Sequence, residues 1–198
     1  MLIPDNMIPH IQKIFAGEYD IPFNASSPVI FDVGANIGAF TRWASARWAN
    51  SKIVCFEPVK SNFELLQKNT SDMTNVELLN LGVGSSDRKQ KIYYGKNNIG
   101  EASLFKGIQQ VDEGEEINVI SAAQLAKCHI MKIDTEGAEI EIIETYSHDP
   151  IVYLIEYHSE HNRLKIDQYL KSKYILIACK SEVPNYGIVK YALKSVVE

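Results

Sequence analysis

Ten residues constrain this chain more than any others. Positions 29–38 read Val-Ile-Phe-Asp-Val-Gly-Ala-Asn-Ile-Gly. An apolar, β-rich run stops at Asp32, passes through two glycines and gives way to helix-like sequence from Ala39 to Ala49. A buried parallel strand hands over to a helix in this way, and the free N–H groups of the helix start then face a ligand. Gly34 lets the backbone turn and a ligand come close, and Gly38 lets the helix start pack on its strand. The order strand, acid, glycine turn, helix points to an α/β fold with a nucleotide-like ligand.

A dinucleotide requires G-x-G-x-x-G, so that a pyrophosphate can lie against bare backbone. With Gly34 as the first glycine, Asn36 falls at the second position and Ala39 at the third. The Asn36 side chain then occupies the place of the diphosphate, which counts against NAD or FAD and leaves room for a smaller ligand. A second apolar run, Lys52 to Phe56, ends in Glu57-Pro58. Proline stops the strand, so Glu57 sits at its tip, 23 residues beyond Gly34. An acid there can accept two hydrogen bonds from a ribose diol. Ser61 and Glu64 read as a capping box for a helix running to about Asn69.

Three segments in register carry a resemblance: Asp32-Val33-Gly34-Ala35-Asn36-Ile37-Gly38, then Phe56-Glu57-Pro58, then Lys132-Ile133-Asp134-Thr135-Glu136-Gly137-Ala138-Glu139. Together they resemble the FkbM family of methyltransferases, within the class I S-adenosylmethionine-dependent fold, over roughly Val29 to His158. The resemblance implies a Rossmann-like sheet of seven strands, mostly parallel with the last antiparallel, and helices on both faces. It also implies S-adenosylmethionine at the C-terminal edge of the first strands. The implied reaction is methylation of a hydroxyl on a sugar, glycolipid or other small metabolite. The cofactor set is Asp32, Gly34, Ala35, Asn36, Gly38, Glu57, Pro58, Gly82, Val83 and Asp134. Asp32 and Asp134 suit the cationic methionine end, and Asp32 can instead order the glycine loop.

The rest of the chain fits that plan. Met7 to Phe15 is an amphipathic helix candidate within an N-terminal segment of residues 1–28, laid across the sheet or over the cleft. Val76 to Leu81 is a third strand leading to Gly82-Val83-Gly84 and a polar turn in which Asp87 holds the loop. Residues 89–120 read as a β-hairpin insertion with short strands around Ile92, Ser103 and Val119. Asn97, Asn98 and Glu101 are loop residues there, and Ser103 resembles a serine of the family. Ser121 and Gln124 form a second capping box. His129 to Ile133 is the fourth main strand, with Asp134 or Thr135 capping the next helix. On that helix Glu136 and Glu139 share a side, while Glu141 and Glu144 face solvent. Tyr174 to Cys179 and Gly187 to Leu193 close the sheet.

The fifth strand, Ile151 to Tyr157, brings the catalytic candidates. Strand alternation places Glu156 and His158 on one side and Tyr157 on the other. With Asp134, they suit proton removal from a hydroxyl: His158 is the candidate base and Glu156 orients its imidazole. His161 opens the following helix, exposed. Asp134, Glu156 and His158 would also suit a divalent ion. No tight ligand motif is present, and the site is read without a metal.

Composition sets outer bounds. A chain of 198 residues, 45% hydrophobic, supports one core and is read as one domain. A formal charge of −5 argues against an extended nucleic-acid partner. Met1 to His10 lacks a secretory pattern and no apolar run is long enough to span a bilayer, so a cytoplasmic location is expected. Cys55, Cys128 and Cys179 read as small core residues. An NAD-dependent oxidoreductase, or a non-catalytic nucleoside-binding protein on the same fold, remain the alternatives. Acceptor identity and oligomeric state are not legible.

Overall fold

The computed structural model describes residues 1–95, 98–103, 113–183 and 185–197; for 94, 95, 98–103, 113 and 182 it describes the backbone alone. In chain order the elements are α1 (Ile8–Lys13), β1 (Val29–Val33), α2 (Ala39–Arg47), β2 (Lys52–Phe56), α3 (Lys60–Asn69), β3 (Val76–Leu79), β4 (Gly82–Gly84), β5 (Arg88–Gly95), β6 (Asn98–Ser103) and β7 (Glu113–Ser121). They continue with β8 (Ile130–Ile133), α4 (Glu139–Thr145), β9 (Val152–Tyr157), α5 (Glu160–Leu170), β10 (Tyr174–Val183), β11 (Tyr186–Leu193) and α6 (Lys194–Val197). No helix among the described residues is long and apolar enough to cross a membrane.

Seven strands form the main sheet in the order β10-β11-β9-β8-β1-β2-β3. Pairing is parallel from β9 to β3, and β11 runs antiparallel to both of its neighbours. The order reverses between β1 and β8, which opens a crevice at their C-terminal ends. Central strands buried on both faces have almost no polar alternation, as Ile130–Ile133 and Val152–Tyr157 show. The sheet divides the core in two. Phe31, Val33, Met131, Ile133, Tyr153 and Ile155 pack on one face, against Ile142 and Ile166. Ile30, Ile53, Ile130 and Leu154 pack on the other, against α1, α2 and Tyr19. Alternation sends Asp32, Lys132 and Glu156 to this second face, so its upper edge holds buried charge.

The N-terminal segment belongs to that second core. Tyr19 meets Phe40 edge to face with centroids 5.0 Å apart, and Phe40, Trp43 and Trp48 continue the aromatic row. Rings at such spacing add about 0.5–1.5 kcal/mol per pair beyond the area they bury. Asn69 ties the chain start to the glycine loop by donating to the carbonyls of Leu2 and Ile37.

Several expectations need correction. Gly82–Gly84, to which the sequence assigns no element, forms a short strand that pairs parallel with β7 in a second sheet ordered β4-β7-β5-β6. The insertion is therefore a four-stranded layer, joined to the main body through Val59, Ile92, Ile117 and Val119. Ser61 caps nothing: α3 starts one residue earlier, with Val59 at its N-cap and no side-chain cap. Ser121 does cap a short turn, but its own N–H donates to Asp87, which also receives Gln124. Gly38 has φ +89°, and a Cβ there would lie 2.8 Å from Leu66 Cδ1, so it makes room for α3 rather than for its own strand. Cys55 and Cys128 are buried, whereas Cys179, on the sheet-edge strand β10, is exposed. The helix after β9 starts at Glu160, one residue before His161, with Ser159 as its cap. Asn97 lies outside the described residues, and of Asn98, Glu101 and Ser103 only the backbone is described.

Candidate active site

The glycine loop is wedged between two strand tips. Gly34 has φ +79°, and a Cβ there would sit 1.7 Å from the Asp134 carbonyl oxygen. Its N–H and that of Ala35 both donate to the Phe56 carbonyl, at 2.9 and 3.0 Å. From below, Lys132 Nζ donates to the Gly34 carbonyl at 2.6 Å. Asn36 also has positive φ (51°), and its N–H donates to Glu57 Oε2 at 2.8 Å. The Asn36 Oδ1 atom is buried and accepts no hydrogen bond among the described residues.

A cleft of about 740 Å³ opens beside this loop. Its apolar end is built by Pro58, Val83, Ile92, Ile117 and Val119, so the second sheet supplies most of that wall. Glu57 lies between this end and the loop, 4% exposed, accepting from Val59 N–H through its other oxygen. Burial pushes its carboxyl up to about 7, against the pull of those backbone N–H groups. The opposite end of the cleft is acidic, with Asp134, Thr135 and Glu136. Arg88 borders the cleft in an ion pair with Glu141 at 2.8 Å. Ser85 also donates to Glu141, so this residue is a tether to the second sheet and not the solvated residue expected.

The buried charges form a connected group. Asp32, fully buried, accepts from Thr41 Oγ1 at 2.5 Å and faces Lys132 Nζ at 3.4 Å; it ties α2 to β1 beneath the loop and does not line the cleft. Lys132 also lies 3.4 Å from Asp134. Burial opposes its charge, but Asp134 and Asp32 outweigh burial and raise its pKa. Burial likewise acts to raise the pKa of Asp134, yet Lys132 and His158 hold it below the usual carboxylate range.

The expected cap of α4 is absent. Glu136 and Gly137 both have positive φ and carry the chain through an open turn, so the helix starts only at Glu139, after Ala138. Neither Asp134 nor Thr135 caps it, and Glu136 and Glu139 do not share a helix side. Glu139 folds back, fully buried, to accept from Gly137 N–H at 2.9 Å and to meet His158 Nδ1 at 3.2 Å. The other ring nitrogen of His158 faces Glu136 at 3.3 Å and Asp134 at 3.9 Å. Burial acts against a charged imidazole here, but Glu136 and Glu139 overcome it and push His158 up to about 11. Glu156 lies 4.0 Å from the ring, so Glu139 is the carboxylate that orients it. Glu156 instead accepts from the Tyr19 hydroxyl at 3.2 Å and from Tyr186, and burial together with Asp134 raises it to about 8.

The structure thus brings Gly34, Asn36, Glu57, Pro58, Gly82, Val83 and Asp134 to one cleft, while Asp32 and Gly38 lie in its supports. Ala35 borders a second, smaller cavity instead. Sequence reasoning did not assign Lys132, Glu139 or Tyr19 to the site. A lysine inside the apolar run Ile-Met-Lys-Ile, flanked by acids two residues away and across the sheet, is the signal that marks the first of these. Asp134, Glu136 and His158 also bring one ligand atom each within 4.8 Å of one another, a donor set compatible with a divalent ion.

A sequence model described as the methyltransferase FkbM domain matches residues 32–175. Methyltransferase sdnD of Sordaria araneosa is 26% identical, over 64% of this chain and 63% of its own length. The chain spans less than two thirds of the length of the curated relatives it matches. Among solved structures, the FkbM methyltransferase of Methylobacillus flagellatus KT superposes with a TM-score of 0.63 at 15% identity, covering 90% of this chain and 47% of that one. The TrmK structure from M. capricolum, described as a complex with S-adenosyl-homocysteine, superposes at 0.53 with 10% identity, over 93% and 68%. At these identities the structural likenesses speak for the fold.

Proposed function

The chain belongs to the FkbM methyltransferase family, and from that premise we propose that it transfers a methyl group from S-adenosylmethionine to a hydroxyl oxygen of a small molecule or saccharide. The observation that carries this reading is a single cleft with Glu57 beside an apolar wall and carboxylates at the far end. Glu57 accepts the backbone N–H groups of Asn36 and Val59 and a side-chain hydrogen bond from Asn62, which leaves acceptor capacity for one ribose hydroxyl. Pro58, Val83 and Val119 suit the face of a base, with Gly82 leaving backbone beside it. The unpaired Asn36 Oδ1 and the Asp134 carboxylate suit a cationic amino-acid end. When bound, S-adenosylmethionine supplies a methyl group already activated by its sulfonium.

The protein's own residues then have two tasks. One is to hold the acceptor oxygen in line with the methyl–sulfur bond. The other is to take up the hydroxyl proton. Asp134, Glu136 and Glu139 surround the His158 ring as one contiguous group of charges. His158 serves as base only from its neutral form, which the surrounding carboxylates disfavour. With His158 held in its charged form, the Glu136 carboxylate, whose pKa burial raises, is the member of this pair left to accept the proton. Glu156, held by Tyr19 and Tyr186, supports this edge from beneath.

Calorimetric titration with S-adenosylhomocysteine, with NADH as control, tests the cofactor. Micromolar binding of the first and none of the second is expected; the reverse would replace this reading with an oxidoreductase one.

A further inference from the structure

We infer that the Arg88–Glu141 ion pair selects the base of the methyl donor, reading a 6-aminopurine by its edge and rejecting a 6-oxopurine. This deepens the methyltransferase reading and rests on it. The floor of the cleft leads to the pair. Gly82 on β4 and Arg88 on β5 are both register partners of Val119 on β7, so the three form one row of cross-strand neighbours on one face. A Cβ on Gly82 would stand 3.3 Å from Val119 Cγ2 and 3.7 Å from Pro58 Cβ. One on Gly84 would stand 2.8 Å from Arg88 Nη1 and 3.0 Å from Val119 Cγ1. Residues two apart share a strand face. The two missing side chains therefore leave a shelf that runs from Pro58 across Val119 to the guanidinium, with Glu57 next to Pro58 at its start.

Both members of the pair keep hydrogen-bonding capacity at the end of that shelf. Glu141 Oε2 accepts from Ser85 N–H at 3.0 Å and Ser85 Oγ at 2.7 Å. Oε1 accepts only from Arg88 Nη2, at 2.8 Å, among the described residues. Arg88 gives Nε to Gln90, one Nη1 hydrogen to the Ser86 carbonyl and one Nη2 hydrogen to Glu141, which leaves two N–H donors. The side chains are 26% and 27% exposed and border the cleft. Burial acts to raise the pKa of Glu141, but Ser85 and Arg88 hold it below the ordinary carboxylate value, so it stays an acceptor at neutral pH. An acceptor beside a donor complements the edge of adenine, where the 6-amino group donates and a ring nitrogen accepts. With the ribose held at Glu57, the base has no freedom to shift along its edge and re-pair. A 6-oxo group then sets its oxygen against Glu141 Oε1, and a site built for a hydrogen bond rejects the analogue that lacks it.

Calorimetry on the whole chain compares S-adenosylhomocysteine with S-inosylhomocysteine, which carry a 6-amino and a 6-oxo purine. Wild-type protein should bind the adenosyl compound about 10- to 100-fold more tightly, the scale of one hydrogen bond to a charged group. In Glu141→Gln the amide still accepts from Ser85 and offers an N–H to a 6-oxo group, so the ratio should collapse toward one. Ser85→Ala removes one bond of the tether and leaves Glu141 Oε1 in place, and its ratio should match wild type. A pair that only ties the second sheet to α4 would weaken both compounds alike in Glu141→Gln and keep the ratio, which would overturn the proposal. Equal binding of the two compounds by wild-type protein would overturn it without any variant and leave the methyltransferase reading standing. No binding of S-adenosylhomocysteine at all would strike that reading, and this proposal with it.

Discussion

Replacing Gly34 by alanine should disturb this fold more than its single methyl group suggests. The φ of +79° costs a side-chain-bearing residue about 1–2 kcal/mol. The new Cβ would stand 1.7 Å from the Asp134 carbonyl oxygen, and because that atom is backbone, the loop must move away from β8. Moving it breaks the bond from Lys132 Nζ to the Gly34 carbonyl, a charged donor worth about 1.5–3 kcal/mol. It also strains the bond from Gly34 N–H to Phe56, worth about 1 kcal/mol. The sum is about 3–6 kcal/mol, a large part of the 5–15 kcal/mol typical of a domain. Gly38→Ala is the control. Its φ is as unfavourable, at +89°, but the atom in the way is the end of the Leu66 side chain, which can turn aside; about 1–2 kcal/mol is expected. Urea unfolding followed by the fluorescence of Trp43 and Trp48 measures both. A loss in Gly34→Ala no greater than in Gly38→Ala would refute the idea that Asp134 backbone pins the loop.

Three further outcomes follow from the site. Glu57→Ala should weaken S-adenosylhomocysteine binding roughly 10- to 100-fold by calorimetry, on the scale of a hydrogen-bonded charged group; unchanged affinity would remove Glu57 from the ribose site. His158→Ala should keep that affinity and lower turnover by about 10²-fold or more, the usual range for a proton-handling group, and wild-type turnover would exclude it. Stability should fall from pH 6 to pH 9. Glu57, raised to about 7, and Glu156, raised to about 8, contribute stability that is full below the usual carboxylate range and is lost as each ionises. His158, raised from 6.5 to about 11, loses its contribution progressively from near pH 6.5 upward, throughout this window. Asp134, lowered, acts in the opposite sense and only in acid, outside this window. Thermal melts that are flat or rise between pH 6 and pH 9 would contradict this charge assignment.

What the sequence disclosed depended on how local each signal was. β2 was legible to the residue because a fully buried parallel strand is an unbroken apolar run and Pro58 ends it. Glu57 followed from its place at that tip. The turn before α4 was not legible, because Thr135 and Glu136 have the look of a helix start, while positive φ at Glu136 and Gly137 delays the helix to Glu139. Glu139 therefore took on a role at His158 that no helical spacing would suggest. The Arg88–Glu141 pair joins residues 53 apart in sequence, from the second sheet to α4, and leaves no local trace. Cys179 misled because its apolar neighbours lie on an edge strand, where alternate side chains face water.

Lys132 has one more consequence. Its ammonium joins the Gly34 carbonyl, Asp32 and Asp134 in the interior of the sheet, so the loop between the two cavities stands on a charged footing and not on apolar packing alone. Such a footing resists small compression but is intolerant of chemical change: a neutral residue of the same length would leave buried carboxylates facing one another. At Lys132, therefore, the strand below the binding edge is closed to redesign.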